Sequence, residues 1–218
     1  MNRIRLEPRD LVALALLAGS AAVAAGVYAR LPEAMPIHFD VRGQADSFVS
    51  KSIGAWLLPL LGLGAWALVR FTPVLAPKTA DSRGAAAPFG AVAFVLAASF
   101  SALQVVVLRA ALSPSMRLGG AAAIVLGVTW LSFAQLFPKL RRNRFVGVRT
   151  PWTLTSDENW LRTHRVAAYA AAFGGAVAVV AGLIGGQAGF GIAVAAVLSS
   201  AIAPAIYSFA LARSLTRR

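Results

Sequence analysis

Six apolar stretches constrain this chain more than any other feature: Leu11–Tyr28, Ile53–Val69, Pro88–Leu112, Leu118–Phe137, Val166–Ile184 and Phe190–Ala212. A helix of roughly 20 residues rising about 1.5 Å per residue crosses the ~30 Å hydrocarbon layer of a bilayer. In that layer every backbone polar group must find its partner inside the protein, so stretches of this length are helices. Composition agrees, with 58% hydrophobic and 13% charged residues against about 45–50% and about 25% in soluble domains. The expected fold is all-α, a polytopic integral membrane protein built as a bundle of six transmembrane helices. Five segments follow in order: 1–29, N-terminus and first span; 30–52, a polar loop; 53–137, second to fourth spans; 138–165, a basic loop and interfacial helix; 166–218, fifth and sixth spans with a short basic end.

Lysine and arginine set the expected orientation. With the N-terminus inside, 16 of the 21 basic residues fall in cytoplasmic segments and five (Arg30, Arg42, Lys51, Arg109 and Arg117) in outer ones, which satisfies the positive-inside rule. Both termini are therefore expected in the cytoplasm, the chain being a multi-pass protein of a bacterial cytoplasmic (inner) membrane. The net charge of +13 is explained by those flanks, and no direct nucleic-acid partner is expected. The chain has no cysteine, which excludes disulfides and thiolate chemistry. Ala22-Val23-Ala24 resembles a signal-peptide cleavage site, but the first stretch is long enough to span and is read as a span.

Inside the stretches, Pro59 and Pro204 predict kinks, and Arg109 reads as a snorkelling interface anchor. Gln104, Thr129 and a few serines are the interior polar residues. The lack of mid-membrane ionisable groups counts against an ion-driven pump. Gly174, Gly175, Gly182, Gly185, Gly186 and Gly189 have the small-residue spacing that lets helices approach closely in lipid, and intramolecular packing is the reading preferred over a dimer interface. Phe71–Ala87, Ser113–Arg117 and Gly185–Gly189 read as short connections.

Two polar segments remain. Residues 30–52 contain Pro32, Pro36, His38, Asp40, Gly43 and Asp46, which predicts an ordered loop or short extended pieces. His38 with Asp40 and Asp46 invites a metal or acid–base reading. One histidine and two scattered carboxylates are poor metal spacing, and a compact cap whose Asp and Gly residues set turns is preferred. In 138–165, Thr155 and Glu158 have capping-box spacing, so a helix is expected to start near Ser156 and run into the fifth span. Trp160, Leu161, His164 and Ala168 are spaced for one face of it. Trp152 and Trp160 read as interfacial aromatics, and Arg149 and Thr150 as donors to an anionic group or a partner's backbone.

Both segments resemble a known family. Pro36-Ile37-His38-Phe39, Gly43-Gln44-Ala45-Asp46 and Ser50-Lys51 look like the short extracytoplasmic domain that opens many SdpI-family membrane proteins. Asn143-Arg144-Phe145-Val146-Gly147-Val148-Arg149-Thr150-Pro151-Trp152-Thr153-Leu154, with Trp160 and Thr163-His164-Arg165, resembles that family's hallmark. Ala134-Gln135 stands where the family usually has Gly-Asn. The resemblance implies immunity to a secreted membrane-active peptide toxin. In the type member it also implies signalling, through retention of a cytoplasmic transcriptional repressor at the membrane. The candidate contact residues are then Pro36, His38, Asp40, Gly43 and Asp46 outside. Inside they are Asn143, Phe145, Gly147, Arg149, Thr150, Pro151, Trp152, Trp160, Thr163 and His164.

Three functions are weighed: a non-enzymatic immunity or sensing protein, which leads; a membrane enzyme or lipid-binding protein in which Arg144, Arg149 and His164 meet a lipid phosphate; and a small transporter. No catalytic constellation, metal or cofactor is expected. The expected partners are the bilayer, a peptide toxin and a repressor, and the sequence leaves the oligomeric state open.

Overall fold

A computed structural model of the protein describes residues 6–75, 86–113 and 118–216. It is 81% helical, with six helices long and apolar enough to cross a membrane, so the all-α, six-span reading holds. The spans are α1 (Pro8–Val27), α2 (Lys51–Leu75), α3 (Ala86–Leu112), α4 (Leu118–Leu136), α6 (Asp157–Ile184) and α7 (Gly186–Thr216), with the short α5 (Pro151–Thr155) before α6. Successive spans alternate in direction. The bundle therefore has one end carrying the 137–156 segment, here the basic end, and one carrying residues 30–50, here the hairpin end.

The spans group as two three-helix units. α1, α2 and α3 pack together, α4, α6 and α7 pack together, and α3 meets α4 along the seam between them. In the first unit the core comprises Ala13, Leu17, Trp66, Ala93 and Ala97 towards the basic end, and Ala24, Leu31, Met35, Ala55 and Leu108 towards the hairpin end. In the second it comprises Ala123, Ala178, Ala181, Ala193 and Val197.

Small residues let the second unit close. A methyl added at Gly127 would lie 2.7 Å from the Gly175 carbonyl oxygen, and one at Gly182 would lie 2.7 Å from that of Gly120. α4 and α6 thus run antiparallel with backbone touching backbone, two turns apart on each helix. Of the glycines singled out on the fifth and sixth spans, Gly174, Gly175, Gly182 and Gly189 pack closely within the chain, as small residues do in lipid, whereas a methyl at Gly185 or Gly186 would meet nothing within 4 Å.

Pro59 lies inside α2 and lacks the N–H that would bond the carbonyl four residues back. That carbonyl belongs to Ala55, and it accepts a hydrogen bond from Gln104 Nε2 of α3 at 2.8 Å. The mid-membrane glutamine thus repairs the gap the proline leaves, as a neighbouring helix can in a membrane.

Several expectations are corrected. The loop expected from Phe71 starts later, because α2 runs on through Leu75. Phe71 packs edge-on against Trp66, and Thr72 Oγ1 bonds the Leu68 carbonyl, which keeps that turn helical. Residues 76–85 of that loop, and Pro114–Arg117 of the next, lie outside the described residues. The Gly185–Gly189 turn shrinks to its first residue, since α7 begins at Gly186. Residues 30–52 are not a loop throughout: a small sheet forms there, antiparallel β1 (Ala34–Phe39) and β2 (Ala45–Ser50). It matches the expected short extended pieces and is a minor addition to the all-α class.

Candidate functional site

The hairpin end is organised by Asp40. Its Oδ1 accepts hydrogen bonds from the Arg42 and Gln44 backbone N–H groups, both at 2.9 Å, and Oδ2 accepts from Arg42 Nε at 3.1 Å. Those bonds, the Gln44 amide above all, hold its carboxyl below the usual 3.8. Gly43 completes the turn at φ +72, a left-handed geometry that suits glycine. A Cβ there would lie 2.9 Å from the Gly119 Cα at the start of α4. Gly191 at the start of α7 is equally tight against the Val41 carbonyl oxygen, 2.9 Å from where its own Cβ would be. The hairpin leaves the α1–α2 side and rests its turn on the α4–α7 side, so it bridges the two units.

Along the hairpin, β1 faces the bundle, with Met35 and Pro36 buried. β2 is exposed at Ala45–Phe48 and again at Ser50. His38 Nδ1 pairs with Asp46 Oδ1 at 2.6 Å in solvent, while Asp40 serves the turn. The three residues considered for a metal therefore do not converge, and no group of three or more such ligands occurs among the described residues.

At the basic end the hallmark segment folds onto α6. After α4, a 3-10 turn (Phe137–Lys139) leads to Leu140, which is buried and whose carbonyl accepts from Trp160 Nε1 at 2.8 Å. Asn143 then fixes a tight turn. Its Oδ1 accepts from Phe145 and Val146 N–H, and its Nδ2 donates to the Arg141 and Val146 carbonyls. Gly147 has φ +118, and a side chain there would overlap His164 Nε2. Val148 N–H donates to that same Nε2 at 3.1 Å. Nε2 is therefore an acceptor, so the ring proton sits on Nδ1, which donates to the Trp160 carbonyl at 2.8 Å. The imidazole stacks on the Trp160 ring at 4.0 Å and meets Phe137 edge-on at 6.1 Å.

Thr150 caps α5 and shares a capping box with Thr153. Its hydroxyl lies 3.1 Å from Ser208 Oγ on α7. Asn159 Nδ2 donates to the Ser208 carbonyl at 2.9 Å, and Thr163 Oγ1 donates to Asn159 Oδ1 at 3.0 Å. Trp152 leans on Phe209, and the Arg213 guanidinium sits 4.3 Å from the centroid of that same phenyl ring. One network thus ties the loop to α6 and α7.

Four readings of this segment change. The cap of α6 is Ser156, whose hydroxyl accepts from Asn159 N–H, and Thr155 instead bonds back to the Pro151 carbonyl. Trp160 is 1% exposed, so it is an interior residue and not an interfacial one. Leu161 is 58% exposed and leaves the face on which Trp160, Thr163, His164 and Ala167 are buried. His164 is sealed behind the loop and cannot meet a lipid phosphate in this structure. The hallmark residues that are exposed are Arg144, Phe145, Arg149, Pro151 and Arg165.

Sequence reasoning missed an ion pair. Asp10 of α1 and Arg70 of α2 are both buried, with Arg70 Nε 2.9 Å from Asp10 Oδ1. Both residues read as ordinary flanks of apolar stretches. The signal was an acid at the start of one span facing a basic residue at the end of the next.

Two family comparisons match the chain. The SdpI/YfhL protein family matches residues 139–208, a span that holds the whole hallmark network from Leu140 to Ser208. A domain of unknown function, DUF1648, matches residues 15–63, which takes in most of α1, the hairpin and the first half of α2. No curated protein and no solved structure matches. The chain is thus a protein with six helices long and apolar enough to cross a membrane, and its residues 139–208 are similar to the SdpI/YfhL protein family.

Proposed function

We propose that this protein protects its cell against a secreted membrane-active peptide, or senses one, and that it does so without catalysis. The observation that carries the reading is the SdpI/YfhL segment itself, folded as a single hydrogen-bonded unit on α6 and α7. In this reading the protein lies in a bacterial inner membrane with both termini in the cytoplasm, which the distribution of lysine and arginine supports. The hairpin, with Pro36, His38, Asp40, Gly43 and Asp46, faces outwards, where a peptide arrives. The hallmark end faces inwards, where a repressor would be held through the exposed Phe145, Arg149 and Pro151 and the half-buried Trp152 beside them. A hairpin resting on both helical units is suited to passing occupancy to the bundle, because displacing it alters contacts with α2, α4 and α7 together.

The test is a deletion strain challenged with a panel of amphipathic membrane-active peptides. At least one peptide should kill the deletion strain at a concentration several-fold below that needed for the parent, and the intact gene should restore resistance. Equal survival against the whole panel would overturn the reading.

A further inference from the structure

We infer that the tip of the hallmark loop is a binding site for the phosphate of an anionic phospholipid, clasped by Arg144 and Arg149 with Phe145 dipping beside the acyl chains. This inference is independent of the peptide reading.

The loop is held before any ligand arrives. The Asn143 side chain uses both its oxygen and its nitrogen on the backbone of Arg141, Phe145 and Val146. Leu140 and Val148, on either side of it, are bonded to Trp160 and His164. A backbone fixed at both ends leaves the side chains between no choice of face, and Arg144, Phe145 and Arg149 are exposed. Arg149 Nη1 donates to the Arg144 carbonyl at 2.8 Å. That bond folds the second guanidinium back over the tip that carries the first, and leaves its remaining N–H groups unspent.

The charge there is not balanced by protein. Asp157 pairs with Arg142 at 2.6 Å and Glu158 pairs with Arg162 at 2.8 Å. No carboxylate among the described residues lies within ion-pair distance of Lys139, Arg141, Arg144, Arg149 or Arg165. Arg144 and Arg149 thus carry two charges on one short loop with no carboxylate partner among the described residues, which an anion would neutralise. The planar fork of arginine matches phosphate oxygens in pairs.

The ligand is a lipid because of where the loop sits. It leaves α4 after one 3-10 turn and re-enters the bundle through α5 and α6, so it lies at the level where the spans end. Phe145 is 41% exposed at its tip, and an aromatic ring on a basic surface at that depth belongs among headgroups.

The experiment uses the full chain in detergent micelles, titrated with dioleoyl-phosphatidylglycerol, dioleoyl-phosphatidylcholine or inorganic phosphate and read by native mass spectrometry. Phosphatidylglycerol should be retained at least roughly thirtyfold more strongly than phosphatidylcholine. The R144Q/R149Q variant should lose roughly thirtyfold of that preference, about fivefold for each arginine. Arg109→Gln, an exposed arginine at the hairpin end, should leave it unchanged. If the glutamine pair does not fold by thermal unfolding, R144K/R149K serves, and should lose severalfold because lysine lacks the fork. An unaltered preference in the loop variants would overturn the site. An equal loss in Arg109→Gln would reduce it to general charge. Saturation by inorganic phosphate alone, with displacement of the lipid, would make it a free-anion site and overturn the lipid assignment.

Discussion

The two three-helix units are built on different terms. In the α4–α6–α7 unit, glycine brings backbone against backbone: Gly127 on the Gly175 carbonyl, Gly182 on Gly120, Gly174 on Ala196. Its buried polar groups, Asn159, Thr163, His164 and Ser208, all have partners. In the α1–α2–α3 unit the close glycines meet side chains instead: Gly54 meets Met35, and Gly62 meets Leu17 and Phe100. There Trp66 Nε1, Ser101 Oγ and Gln104 Oε1 are buried without a protein partner. Side chains give way and backbones do not. The second unit is therefore the more specific in its geometry, and it is the one that carries the hallmark segment.

The most severe test of that contrast is the buried ion pair of the softer unit. Asp10→Ala should destabilise the protein by about 3 kcal/mol, because it removes a buried carboxylate whose two oxygens both accept from Arg70 Nε. Thermal unfolding in detergent reads this, and D10A/R70M should recover much of the loss. A smaller loss for D10A than for a surface substitution would show that the first unit does not depend on the pair.

Next come the glycines. Gly127→Ala places a methyl 2.7 Å from a carbonyl oxygen and 2.8 Å from the Val179 nitrogen, and should cost about 2 kcal/mol. Gly62→Ala meets the Leu17 Cδ2 at 2.6 Å, the far end of a flexible side chain, and the Phe100 Cβ at 2.8 Å. It should cost about 1 kcal/mol or less. Equal effects on the unfolding midpoint would erase the distinction between the units.

Polar deletions sharpen it further. Asn159→Leu removes the side-chain donor to the Ser208 carbonyl and the acceptor of the Thr163 hydroxyl, for about 1.5 kcal/mol. Gln104→Leu bares the Ala55 carbonyl but also removes an oxygen that has no protein partner, so about 0.5 kcal/mol is expected. The order of the two midpoints is the measurement that matters.

The smallest effect lies on the bridge between the units. The Asp40 carboxyl titrates below its usual 3.8 because the Gln44 amide donates to its ionised form. A depressed folded value means that the turn is supported above pH 3.8 and loses that support as pH falls through the folded value. Amide exchange at Gln44 should accelerate in that window and not at neutral pH, and Asp40→Asn should flatten the response.

The spans were legible because hydropathy over some 20 residues is a strong signal. The hallmark's interior was not legible. In a membrane protein, apolar residues face lipid as well as core, so hydrophobicity stops marking burial. Trp160 and Leu161 read alike, yet one is sealed and the other exposed. The α6 cap was missed by one residue, since Thr155 and Ser156 both offer a hydroxyl and only tertiary placement separates them. Asp10 with Arg70, and Asn159 with Ser208, are pairings across 60 and 49 residues, and such partners have no local signature. The contact residues proposed on the hairpin keep their standing as candidates: His38 and Asp46 are exposed, while Pro36 is buried against the bundle.

The bond from Gln104 to the Ala55 carbonyl also bears on biogenesis. A ribosome delivers α2 before α3, so for a time α2 carries a carbonyl that its own proline has left bare. In hydrocarbon such a group costs several kcal/mol. Insertion of α2 is then incomplete, in free-energy terms, until Gln104 arrives 49 residues after Ala55. The nascent chain gains most by releasing α2 and α3 into the bilayer as a pair, with α1 already waiting to receive them.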